Sequence, residues 1–152
     1  MDFPTDIGEP QAEFEDAVCR LIESSDVFEI IERNMISDPF EPDAILMNED
    51  EWTFRIVCWY QADDDEGFAD IYPKTFGMRK WVTDHDEEPT YFLMGIGGTP
   101  QMPDHFYITR FFNIDETHMS LARLDAYRQS VFRFDFIYYY INRDLCRIFS
   151  PE

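Results

Sequence analysis

Carboxylates are the most abundant chemically competent groups in this chain, with 32 Asp and Glu against 12 Lys and Arg in 152 residues. Carboxylates that converge can hold a divalent cation, which in turn can clamp a phosphate and acidify a bound water. Asp43 stands between Pro42 and the apolar run Ala44–Met47, where an Asp after Pro is a common turn residue. Glu15, Gln61, Asp63, Glu66 and Asp70 are further oxygen-bearing side chains in the same half of the chain. The run from Asp63 to Gly67 lacks the glycine and glutamate spacing of a calcium loop and reads as a solvated turn. His85, His105 and His118 are too scattered for a metal set and read as surface or loop residues. Cys19, Cys58 and Cys146 form no Cys-x-x-Cys pair, which argues against a zinc site or redox dithiol. Cys19 and Cys58 have apolar neighbours and read as small core residues. Gly95-x-Gly97-Gly98 leads into a turn bracketed by Pro100 and Pro103 rather than into a helix, so it is no phosphate loop. There is no Gly-x-Ser-x-Gly elbow either.

The elements that must position these groups can be read along the chain. Pro10 suits a first helical turn, and Phe14, Ala17, Val18, Leu21 and Ile22 follow at helical spacing, predicting a helix over residues 10–25. Residues 27–36 are rich in β-formers and predict a strand, and Asp38-Pro39 and Glu41-Pro42 then punctuate a loop. Residues 44–47 make a short strand, 48–51 a hairpin turn, and 52–61 a long central strand. Residues 68–83 suggest a helix that Pro73 and Gly77 disturb. Strands follow at 90–96 and 105–111, then loop and short helices over 113–133, with Asn113 or Asp115 as a cap. Residues 134–148 fit a helix, or a helix followed by a strand. The expected fold is a single α/β (α+β) domain over 1–152, a mixed central β-sheet flanked by helices.

In this order the chain resembles the PD-(D/E)XK, or restriction-endonuclease-like, nuclease superfamily over about residues 13–149. The motifs are Phe14-Glu15 in the first helix, Pro42-Asp43, the strand Phe54-Arg55-Ile56-Val57-Cys58-Trp59-Tyr60, and the strand Tyr91–Ile96 running into Gly97-Gly98-Thr99-Pro100. The resemblance implies a Mg²⁺-dependent site in which Asp43 is a metal ligand. A Glu and a Lys two residues apart on the central strand would complete it. Those two positions fall on Val57 and Trp59, which can neither bind Mg²⁺ nor polarise water. The resemblance is therefore to a degenerate member, a pseudoenzyme, unless ligands have relocated to Glu15, Gln61 or Asp63.

Charge bounds the partners. The formal net charge is −20, and residues 1–66 hold 20 acids against only Arg20, Arg33 and Arg55. Such a half repels a phosphate backbone, which disfavours nucleic-acid binding through it. Generic solubility or adaptation to high salt is one reading of this charge, but high-salt adaptation alone explains the asymmetry poorly; a basic partner or a nucleic-acid mimic explains it better. The run Tyr138-Tyr139-Tyr140 with Phe132, Phe134 and Phe136 could form a base-stacking platform, and core packing is the plainer reading. No run reaches the ~20 apolar residues of a membrane span. A cytoplasmic protein without a membrane partner is expected.

The expected function is that of a non-catalytic acidic binding protein with a protein partner, a basic one being an option, and no cofactor. A Mg²⁺-dependent DNA nuclease with relocated ligands is one alternative. A DNA-mimic or immunity-type inhibitor is the other.

Overall fold

The computed structural model describes residues 5–34, 41–63, 66–114 and 118–149. The first helix, α1 (Thr5–Glu23), buries Phe14, Val18 and Ile22 on one stripe. It begins before the expected start, so Pro10 lies inside it and removes one backbone hydrogen bond there. Ser24 and Ser25 end it, the Ser25 hydroxyl donating to Ile22 O at 2.6 Å, and Asp26 (φ 60°) turns the chain away. Then come β1 (Glu29–Arg33) and β2 (Ala44–Met47). Residues 35 and 36 of the expected first strand, and Asp38-Pro39 with them, lie outside the described residues. A turn centred on Asn48 leads into β3 (Thr53–Gln61). Asn48 Oδ1 accepts from Asp50 N at 3.0 Å and Trp52 N at 2.9 Å.

The expected helix over 68–83 splits in two. Phe68–Asp70 is a strand, β4, and the helix α2 (Tyr72–Asp84) starts after it, with Pro73 in the first turn where a missing N–H costs little. Two long strands follow, β5 (Thr90–Ile96) and β6 (His105–Arg110). The stretch after β6 carries more order than loop and short helix. It contains β7 (His118–Ser120), α3 (Leu121–Leu124) and β8 (Arg128–Gln129), and β7 pairs with β4 in a small second sheet. Neither expected cap serves α3: the Ser120 hydroxyl accepts from Arg123 N at 3.2 Å, while the Asn113 amide bonds Thr109 Oγ1 and Asp115 is outside the described residues. The last segment is one helix, α4 (Phe134–Phe149), which resolves the alternative left open by the sequence.

The main sheet has the order β1-β2-β3-β5-β6-β8. Its first three strands form an antiparallel meander, α2 crosses over, and β3 and β5 run parallel with Val57 beside Phe92 and Trp59 beside Met94. The sheet is therefore mixed and has helices on both faces. Alternation along β3 decides which side chain meets which layer. Phe54, Ile56, Cys58 and Tyr60 pack with Phe14, Val18 and Ile22 of α1 and Ile137, Ile141 and Leu145 of α4. Val57 and Trp59 pack on the other face with Ile71, Met78 and Trp81. Among the described residues no helix is long and apolar enough to cross a membrane.

Candidate functional site

Where β2 begins, β3 continues past it, and its overhanging edge needs hydrogen-bond partners. Two side chains supply them. Asp43, only 4% exposed, accepts from the Cys58 backbone N–H through Oδ2 at 2.6 Å. Gln11 of α1 does the rest: its Nε2 donates to Cys58 O at 2.8 Å and its Oε1 accepts from Tyr60 N at 2.8 Å. The carboxamide of Gln11 thus stands in for one peptide group of a missing strand. Glu15, one turn further along α1, accepts from the same Nε2 at 2.6 Å.

Asp43 and Glu15 are thereby gathered beside the overhanging edge of β3, and both have a structural duty there. Their field reaches Cys19, whose thiol is pushed up to about 11. Burial is the main cause; Arg33 opposes it, and Asp43, Glu15 and Glu23 add to it.

The positions that the resemblance assigns to Glu and Lys look the other way. Val57 is fully buried and Trp59 half-buried in the apolar layer under α2. Gln61 closes the β3–β4 turn: its Nε2 donates to Asp63 O at 2.7 Å and Phe68 O at 3.1 Å, and its Oε1 accepts from Asp70 N at 3.0 Å. Asp63 and Glu66 are exposed at that turn, with Glu66 in the left-handed region (φ 51°). The candidate oxygen donors thus belong to two hydrogen-bonded groups, one holding Asp43 and Glu15, the other Gln61, Asp63 and Asp70. Among the described residues no three His, Cys, Asp or Glu form a group that could hold a metal ion.

Other expected candidates take structural places. The Gly97–Pro103 turn is closed by paired Thr99–Met102 backbone hydrogen bonds, and Gly98 (φ 60°) approaches Met102 O so closely that a Cβ would lie 2.5 Å from it. His85 stacks flat on Trp81, ring centroids 3.9 Å apart, and its Nδ1 is 2.8 Å from Trp81 O. Helical geometry divides the tyrosine run: Tyr138 and Tyr140 pack against the core, whereas Tyr139 is 66% exposed beside Arg143. The three rings therefore do not form one stacking platform.

Two polar groups were not legible from spacing. Arg55 of β3 pairs with Glu88 and lies 5.4 Å over the Trp81 ring. Across the sheet, Asp144 of α4 accepts from Tyr91 OH at 2.6 Å and pairs with Arg110, a polar knot between helix and sheet. A lone acid beside Ile141 and Leu145 on a helix was the only signal for it.

Charge asymmetry along the chain becomes polarity across the sheet. Glu23, Asp26, Glu29, Glu32, Glu49 and Glu51 stand exposed around edge strand β1 and the β2–β3 turn. At the opposite edge, β8 carries the exposed Arg128, which pairs with Asp125, and Arg143 is exposed on α4. Six strands set the two edges roughly 24 Å apart. Comparison with family models and with curated proteins finds no match for this chain.

Proposed function

We propose that this chain is a non-catalytic acidic binding domain, a pseudoenzyme on a restriction-endonuclease-like scaffold, whose partner is a basic protein. The observation that carries the reading is the burial of Val57 and Trp59 in an apolar layer at the two positions where the nuclease resemblance needs a Glu and a Lys. The meander β1-β2-β3, the α2 crossover and the parallel β5 support the scaffold, and Asp43 directly before β2 supports the alignment. The acidic edge around β1 supports the partner's charge, because a field of one sign steers association with its complement.

The test has two arms. Plasmid, linear and single-stranded DNA are incubated with the protein and Mg²⁺ or Mn²⁺, and no cleavage is expected. Cleavage that disappears in Asp43→Ala would overturn the reading in favour of relocated ligands. In the second arm, binding to basic proteins should weaken as salt rises.

The exposed acids around β1 also suit a DNA-mimic or immunity-type inhibitor. That reading is distinguished by its partner, a nucleic-acid-binding protein whose DNA complex this chain displaces.

A further inference from the structure

Helix α4 presents to solvent a row of residues four positions apart, Asp135, Tyr139 and Arg143, all of them exposed. Tyr139 stands in the middle, 66% exposed, with the Arg143 guanidinium carbon 5.7 Å from its ring centroid. Asp135 is held by Arg133 at 3.0 Å, but both side chains are exposed, and such a pair is weak enough to exchange for another cation. A groove of about 480 Å³ runs beside the row and is lined by it together with Phe136, Tyr140, Ala126 and Gln129.

The row is complementary to itself. Asp135 lies four residues before Tyr139 and Arg143 four residues after it, each about 6 Å away along the helix axis. A two-fold axis beside Tyr139 therefore sets Asp135 of one copy against Arg143 of a second copy, and repeats that pair in reverse on the other side. Rows of residues four apart run along each other when two helices cross at about −50°, the commonest packing class. Each Tyr139 ring then enters the groove of the other copy, where Phe136 and Tyr140 supply aromatic neighbours.

Charge favours this face over others. Two chains of net charge −20 repel each other wherever acid meets acid. Residues 121–149, which include α4 and the segment across the groove, hold five arginines against three aspartates. Screening over about 8 Å at physiological salt leaves local charge to decide which faces can approach. The groove lies on the β8 side of the sheet, so the contact leaves the acids around β1 free for a basic partner. We infer that α4 is the contact face of a two-fold homodimer, in which the row Asp135–Tyr139–Arg143 packs on the same row of a second copy running the other way. One helix row and one groove make a small interface, so the dimer is weak and forms as concentration rises.

Sedimentation equilibrium of the whole chain at physiological salt tests this. The mass of the wild type should rise with concentration from that of the monomer towards twice that value and no further. Tyr139→Ala should raise the dissociation constant about tenfold or more. Asp135→Arg sets Arg against Arg and Arg143→Asp sets Asp against Asp, so each variant alone should stay monomeric. Asp135→Arg also lowers the net negative charge, so general repulsion would predict the opposite of this loss. Mixed in equal amounts, the two variants restore opposite charges at both contacts and should form a one-to-one dimer. Both substituted sites are exposed, and native circular dichroism confirms that each variant is folded. A wild type that is monomeric at every concentration overturns the inference. Mass growing beyond the dimer, single variants that dimerise like the wild type, or folded variants that stay monomeric when mixed overturn it as well.

Discussion

Asp43 Oδ2 and the Cys58 backbone N–H are joined at 2.6 Å, so the residue best placed to be a metal ligand by sequence is also the one that finishes the edge of the central strand. The two duties predict different things. As an edge cap, Asp43→Ala leaves a buried N–H without its acceptor and should cost about 1–3 kcal/mol. Urea denaturation measures this directly, and an unchanged midpoint would remove the structural role.

Rebuilding the nuclease residues gives a sharper test of the scaffold reading. Val57→Glu places a carboxylate in an apolar layer with Ile71, Met78 and Phe92 as neighbours. Destabilisation of roughly 3–5 kcal/mol is expected, and no gain of cleavage even together with Trp59→Lys. A folded, cleaving double variant would show that the face under α2 is a dormant site.

The knot between α4 and the sheet should behave unequally under substitution. Tyr91→Phe removes one donor and leaves Asp144 paired to Arg110, at about 1 kcal/mol. Asp144→Ala leaves both Tyr91 OH and Arg110 without their acceptor, and a loss of roughly 3 kcal/mol is expected. Equal losses in the two variants would show that Arg110 contributes nothing.

Alkaline pH should destabilise the fold through Cys19. Below pH 9 folded and unfolded chains both keep the thiol proton, and stability is unaffected. Between pH 9 and about 11 the unfolded chain releases it while the folded chain holds it, so stability falls across that window. The loss is about 2 kcal/mol, and Cys19→Ser should remove that part of the decline. Tyr91, held protonated by burial and by its bond to Asp144, extends the decline at higher pH. Denaturation midpoints taken from pH 8 to 11 in both proteins provide the check.

The same burial predicts thiol reactivity. Cys146 is exposed on α4, whereas Cys19 and Cys58 are buried. A thiol-directed chromogenic reagent should titrate one cysteine in the native protein and three after denaturation. Rapid native labelling of Cys19 would mean that α1 opens readily.

Strands with strong alternation or continuous apolar character were legible in the sequence: residues 52–61 and 90–96 differ from β3 and β5 by a residue at most. Phe68–Asp70 was not, because three residues carry no period, and their strand conformation depends on β7, some fifty positions away. Pro10 misled in the other direction, being a helix-start signal that the helix tolerates further in. That Val57 and Trp59 share one face of β3 could be read from strand alternation, and Asp43 from its place just before β2. Gln11 could not, since a glutamine acting as a peptide surrogate leaves no pattern in its own neighbourhood.

One face of the sheet is covered by α1 and α4, of which α1 is synthesised before the strands between them and α4 after them. Phe14, Val18 and Ile22 thus emerge from the ribosome well before Ile137, Ile141 and Leu145 exist to close the layer beside them. At cellular elongation rates the delay is on the order of ten seconds. Until then the nascent chain presents a row of aromatic and aliphatic side chains to solvent, held only by a partial sheet. The closing helix therefore sets when this layer of the core can be completed, and slow codons within residues 24–133 would lengthen the exposed interval.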